Sequence, residues 1–441
     1  MKRLLSLLLC AVLALFCATT AQAAGVSITL TASEYALHYA FDAGAQDPFV
    51  ILEYTTPAEK GWMMLYSADG HFEGDIALAY SGAGGKTSVA LTSARTTGSI
   101  GKASTTLPKA ADYQKPTGKS NAKVTDFVLT ETPEGFHYAF NAAGTDYMLL
   151  YWRSKEQTVT QPVYPDENGH YEGDVVSELT FARTQFTVQV KSGSGSMKKE
   201  ATVRKGYQAP EAPQRQEGRL SGVTVCIDAG HQENGRFVNE PIGPGLSGST
   251  SGKGGMAQGT KTNRRESIVC LEIGMLLRDE LLRQGANVVM TREDQTTFHT
   301  NIERCEIAEA GGAQIMLRLH CNNSSNRSKR GIQVYGPLNS DYAKAVADAD
   351  TYREMGQKLL DAMKTRVGMT LANSTGMVRL NDNYVGNNWA KMMCFLVEMG
   401  YLSNPAEEYL LVTPVYQQWL AEGMADGVYE IAVARGWVQA Q

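Results

Sequence analysis

Four side chains able to do chemistry stand at the ends of apolar runs in the C-terminal half of this sequence. "VCIDAG" ends at His231, "IMLRL" at His320 and "CFLV" at Glu398, while Glu266 opens the run "ESIVCLEIGMLLRDELLRQG". Two imidazoles and one carboxylate, with a fourth position left open, form the donor set of a hydrolytic zinc site. A second carboxylate beside such a site is suited to moving a proton. Taken singly, each residue also has an ordinary use. A histidine closing a strand finds a hydrogen-bond partner, and a glutamate at a helix start complements the helix dipole. Glu398 is harder to assign to housekeeping, because an acid within "CFLVEMG" costs desolvation energy unless it is paired or used. Asp228, three residues before His231, suits either the orientation of a ligand or a turn bond. Glu240 and His299 are further candidate ligands, set in loops.

The elements that would carry these residues alternate in type. Val223, Val225 and Ile227 read as a strand, and the run from Glu266 reads as a helix stopping at Gly285. "ANVVMTRED", "AQIMLRLHCNN" and "MMCFLVEMG" are further strands; "NIERCEIAEAGG", "TYREMGQKLLDAMKTRVG" and "VYQQWLAEGMADGVYEIAVARG" are helices. This alternation predicts an α/β domain with a mixed, mostly parallel sheet flanked by helices. Groups at the carboxyl ends of its strands then gather in one place. The segment 232–263 is rich in Gly, Ser, Thr and Asn and reads as a surface loop near that place.

Residues 26–206 have a different texture. "LHYAFDAG" recurs as "FHYAFNAAG", and "DGHFEGDI" as "NGHYEGDV", both at an offset of 99 residues. Short alternating segments with turn signals at this spacing predict two all-β sandwich repeats, immunoglobulin- or fibronectin-like in pattern. Four of the seven histidines occupy matched positions in the repeats, His38 with His137 and His71 with His170. Their "GH-aromatic-EGD" setting reads as a hairpin turn rather than a metal site.

At the N-terminus Lys2 and Arg3 precede "LLSLLLCAVLALFCA", and "AQA" ends at Ala23. This is the pattern of a cleaved secretory leader. The expected organisation is a leader over 1–23, repeats over 24–110 and 121–206, a linker over 207–221 and a catalytic region over 222–438. No other stretch is long and apolar enough to span a bilayer. A net charge of −5 excludes a general basic surface, so nucleic acid is not an expected partner. Five cysteines follow residue 220 without CxxC spacing, and they read as buried small hydrophobes.

Residues 222–437 resemble the zinc-dependent N-acetylmuramoyl-L-alanine amidases of the Amidase_3 family. "VCIDAGHQ", "RRESIVCLEIGMLLRDELLRQGANVVMTRED", "NIERCEIAEAGGAQIMLRLHCNN", "GIQVYGP" and "FLVEMGYLSNPAEEYLL" carry the resemblance, in the family's order. "NEPIGPG" is similar to a loop found in a subgroup of Gram-positive members. The resemblance implies zinc ligands at His231, Glu266 and His320 and a catalytic glutamate at Glu398. It also implies an amide substrate: the bond between N-acetylmuramic acid and the L-alanine of the peptidoglycan stem. Departures are Ala229-Gly230 for Pro-Gly, Cys270 for Asn, Arg318-Leu319 for Ser-Ile and Cys321 for Ala; none removes a ligand. Cys321 should point to the sheet face opposite His320.

The expected product is a secreted peptidoglycan hydrolase, extracellular or wall-associated, or periplasmic where the host has an outer membrane. Its partners would be the glycan strand and stem peptide, with a wall polymer or a regulatory protein on the β-repeats. A zinc peptidase cutting within the stem and an inactive wall-binding protein are the competing readings.

Overall fold

The computed structural model describes residues 18–440 except 23–25, 35, 46, 58–59, 79–82, 95–97, 112–118, 133–134, 154–157, 177–183, 194, 206–210, 233–237, 251–254 and 368–376. Most of the expected leader, residues 1–17, lies outside the described residues. Its end, Ala18–Gln22 (β1), runs antiparallel to the next strand. By its internal contacts the chain divides into two compact units, 1–116 and 117–441.

The first unit builds two sheets from β2 (Ser27–Ala32), β3 (Ala36–Asp42), β4 (Phe49–Thr55), β5 (Lys60–Tyr66), β6 (His71–Ala77), β7 (Gly85–Ser93) and β8 (Ser99–Leu107). One sheet has the order β1-β2-β3-β6 and the other β5-β4-β7-β8. Period-2 alternation decides the packing: Ile28, Leu30, Leu37, Tyr39 and Phe41 from one sheet meet Val50, Leu52, Val89 and Leu91 from the other in a single core.

The second unit begins with the same arrangement. Its strands are β9 (Val124–Thr132), β10 (Gly135–Ala142), β11 (Met148–Arg153), β12 (Thr158–Val163), β13 (His170–Val176), β14 (Thr184–Ser192) and β15 (Met197–Lys205). They form sheets β13-β10-β9 and β12-β11-β14-β15 around Phe136, Phe140, Trp152, Tyr171 and Phe186. The two repeats therefore share one strand order, apart from the added β1.

The "GH-aromatic-EGD" segments are not hairpins. β5 pairs with β4 while β6 pairs with β3, so the turn at Asp69-Gly70 is where the chain changes sheet. Gly70 takes a φ of 84° there, and an added Cβ would meet the Gly44 backbone. The matched histidines face outward onto acids and amides. His38 Nδ1 lies 3.0 Å from Asp75, His71 Nδ1 2.7 Å from Asp42, His137 Nδ1 3.0 Å from Asp174 and His170 Nδ1 2.8 Å from Asn141.

The C-terminal part carries a six-stranded sheet. Its strands are β16 (Thr224–Ala229), β19 (Asn287–Met290), β20 (Ile315–Asn322), β21 (Gln333–Gly336), β22 (Met377–Leu380) and β23 (Met393–Tyr401), ordered β19-β16-β20-β23-β21-β22. The β16–β19, β16–β20, β20–β23 and β21–β22 pairings are parallel, and β21–β23 is antiparallel. Glu266–Arg283 (α1), Asn301–Ala310 (α2), Ala349–Val367 (α4) and Pro414–Ala434 (α7) are its longer helices; Asp341–Val346 (α3), Val385–Trp389 (α5) and Glu407–Leu411 (α6) are short. The mixed, mostly parallel sheet is the expected one. The segment read as an open loop holds a two-stranded ribbon, β17 (Glu240–Pro241) with β18 (Ser249–Thr250). All five described cysteines are buried and free. Among the described residues no helix is long and apolar enough to cross a membrane.

Candidate metal centre

Sheet register sets the site. Residues paired across a ladder share a face, so the parallel pairing of β20 with β23 puts His320 directly beside Glu398. The antiparallel pairing of β21 with β23 adds Gln333 to the same row. β16 ends two residues before His231, and Gly230 N donates to Leu319 O at 2.9 Å, which ties the first histidine's loop to the second histidine's strand. α1 brings in Glu266 as its first residue.

The donor atoms of His231, Glu266 and His320 all lie within 4.8 Å of one another. Glu266 Oε1 is the focus: His320 Nδ1 is 2.9 Å away and His231 Nε2 3.2 Å. Backbone N–H groups steady the carboxylate, Cys321 N donating to Oε1 at 3.0 Å and Ala257 N to Oε2 at 2.7 Å. Burial alone would raise the Glu266 pKa, but the two imidazoles outweigh it and hold the carboxyl well below the usual range. Glu398 shows the opposite balance. Burial, then repulsion from Glu266, pushes its pKa well above the carboxylate range. Two buried atoms at the centre have no hydrogen-bond partner among the described residues: His320 Nε2 and Glu398 Oε2. Paired imidazoles closing on one carboxylate oxygen, with polar atoms left unsatisfied beside them, fit a divalent ion held by nitrogen and oxygen donors.

His231 is held in the left-handed region at a φ of 56°. A non-glycine residue in that region costs on the order of 1–3 kcal/mol, and surrounding bonds must hold it there. Gly230 is required for a different reason, space: an added Cβ would lie 2.4 Å from Leu319 O and 2.6 Å from His320 Cε1.

Asp228 serves neither expected use. It makes no bond to either clustered imidazole. It is fully buried and accepts from Thr291 Oγ1 at 2.7 Å, from Arg318 Nε at 2.9 Å and from Arg304 Nη1. Burial opposes its charge, yet Arg304 and Arg318 keep its carboxyl well below the ordinary range. The Arg318-for-Ser departure thus supplies a second cation to a buried aspartate. Glu240 is not in the cluster: its carboxylate accepts from Ile302 N at 2.8 Å and Asn301 Nδ2 at 2.6 Å, at the start of α2. His299 also lies outside it, and its carbonyl accepts from Arg304 Nε at 3.2 Å.

Sequence reasoning missed the buried glutamates of "NPAEE". Glu407 Oε1 accepts from Gly331 N at 2.7 Å and its Oε2 from Tyr401 N at 2.8 Å, fixing the end of β23 just beyond Glu398. Glu408 accepts from Lys261 N and Thr260 Oγ1 at 3.0 and 3.1 Å, which clamps the segment leading into Glu266. Two adjacent acids running straight into the apolar stretch "YLLV" were the available signal, since only bonded acids are stable when buried.

Residues 225–430 match the N-acetylmuramoyl-L-alanine amidase family Amidase_3. This part of the chain belongs to that family. It is accordingly the domain of a hydrolase. The chain is 26% identical over 231 residues to the germination-specific N-acetylmuramoyl-L-alanine amidase of Bacillus subtilis, covering 49% of this chain and 83% of that protein. It is 27% identical over 218 residues to the probable cell wall amidase LytH of Staphylococcus aureus, with 48% of this chain and 60% of the relative covered. It is also similar to a crystal structure of an N-acetylmuramoyl-L-alanine amidase from Clostridium difficile 630, at a TM-score of 0.38 and 24% identity. That match covers 48% of this chain and 96% of the other.

Proposed function

We propose that this protein is a secreted amidase that hydrolyses the bond between the lactyl group of N-acetylmuramic acid and the L-alanine of the stem peptide. The single observation that carries the reading is the half-buried Glu398, whose buried Oε2 has no hydrogen-bond partner, beside the His231–Glu266–His320 cluster, within a region that matches an amidase family. The three clustered residues would hold zinc, which supplies a Lewis acid and acidifies water when bound. Glu398 takes the proton of the attacking water. Its raised proton affinity suits it to hand that proton to the departing amine of L-alanine.

The leader over 1–23 supports export, since the substrate lies outside the cytoplasm. Two repeats with sheets of the orders β2-β3-β6 and β5-β4-β7-β8 support immunoglobulin- or fibronectin-like modules over 24–110 and 121–206, ahead of a linker at 207–221 and a catalytic region over 222–438. The modules are assigned to a wall polymer or a regulatory protein. Mass spectrometry of purified sacculi digested with and without chelator tests the activity. Intact stems beginning with L-alanine, lost on chelation, are the expected products. Shortened stems would replace the reading with a stem peptidase, and no release at all with an inactive wall-binding protein.

A further inference from the structure

The left-handed turn at His231 is gripped from behind by two buried guanidinium groups. Arg292 Nε donates to Ala229 O at 2.7 Å, and Arg292 Nη2 donates to Gly230 O at 2.9 Å. Arg304 Nη1 donates to Ala229 O at 2.9 Å and its Nη2 to His231 O at 3.2 Å and to Gln232 Oε1. Three successive carbonyls, 229 to 231, therefore all end on arginine. Arg292 also reaches the other ligand-bearing element: its Nη2 donates to Ser267 O at 2.7 Å, in the first turn of α1, one residue after Glu266. Its Nη1 is anchored on Asp294 O at 2.9 Å.

We infer that Arg292 is a positioning residue for the metal centre: its fork ties the backbone carrying His231 to the helix carrying Glu266 and so fixes the separation of two ligands. The inference rests on the reading of His231, Glu266 and His320 as ligands. Ser267 O and the carbonyls of Ala229 and Gly230 belong to different elements, and no other described side chain donates to both sets. A lysine keeps the charge but cannot span these acceptors, because its donors radiate from one atom rather than a planar fork. Arg304 completes the grip and holds His231 O itself. Arg318 provides the comparison. It is equally buried and bonds Asp228 and Asn301, yet it touches no carbonyl from 229 to 231.

The test measures zinc affinity of the full chain by competition with a chromophoric chelator, for the unsubstituted protein, Arg292→Lys and Arg318→Lys. Unfolding midpoints are recorded on the metal-free proteins. Both substitutions disturb buried guanidinium hydrogen bonds and lower the midpoint. Arg292→Lys is expected to weaken zinc binding about tenfold or more, in line with other residues that orient ligands, while Arg318→Lys binds as the unsubstituted protein does. Should Arg292→Lys fail to fold by circular dichroism, Arg292→Gln, whose amide keeps two donors but cannot span both sets of carbonyls, carries the same comparison. Unaltered affinity in the arginine-grip variant, or equal weakening in both variants, overturns the positioning role and leaves the ligand reading intact. Absence of zinc uptake by the unsubstituted protein overturns both.

Discussion

At the scale of single residues, the proposed chemistry rests on two carboxylates pushed in opposite directions. Glu266 is kept ionised by two imidazoles, whereas Glu398 is drawn toward its protonated form by burial and by Glu266 itself. Glu398→Gln keeps the shape and removes the base, so kcat should fall by about 10²–10⁴ with zinc content unchanged, as read by muropeptide release and metal analysis. Because the proposed working form of Glu398 is the carboxylate, activity should fall as pH drops through its pKa, which a pH–rate profile of the zinc-loaded protein checks. Gly230→Ala should lose zinc without replacing any of the three clustered residues, since the new Cβ would collide with Leu319 O and displace the His320 ring; equilibrium dialysis reads the loss. His231, His320 and Glu398 were legible in the sequence because each closes a strand pattern. Asp228 was not, because its partners Arg304 and Arg318 lie 76 and 90 residues away along the chain.

At the scale of elements, the site is held by acids that do no chemistry of their own. Glu407 fastens β23 to the backbone at Gly331, and burial pushes its pKa from the ordinary 4.5 up to about 7. Between those values the folded protein retains a proton that the unfolded chain has released. Glu407 therefore adds stability that is complete below about 4.5 and is lost as pH rises through 7. The span amounts to about 3 kcal/mol at roughly 1.4 kcal/mol per pKa unit. Glu407→Gln should flatten that slope in denaturant unfolding followed from pH 4 to 8 (on the order of one midpoint per pH unit); an unchanged slope would assign it elsewhere. The strands and long helices around these acids were readable from period and turn residues. The short helices α5 and α6 and the ribbon β17–β18 were not, since two to five residues carry no periodic signal.

At the scale of the whole molecule, two sandwich modules precede a domain of unrelated texture. The first module closes its own core with residues 28 to 107. A chain lacking residues 24–116 is therefore expected to keep its rate on soluble muropeptides; a large loss would show that the first module completes the site. Its binding to sacculi is the property that deletion should change, as co-sedimentation reports. By itself the sequence determined the repeat, the alternation of strands and helices, and the residues that stand at strand ends. Those are local properties, set by side-chain period, by turn chemistry and by the cost of placing an acid in an apolar run. Tertiary structure alone decided that two of those ends converge on Glu266 Oε1, that Asp228 serves two arginines, and that Arg292 and Arg304 grip the turn at His231. Each of these depends on strand register and on contacts between segments far apart in the chain, which no local pattern encodes.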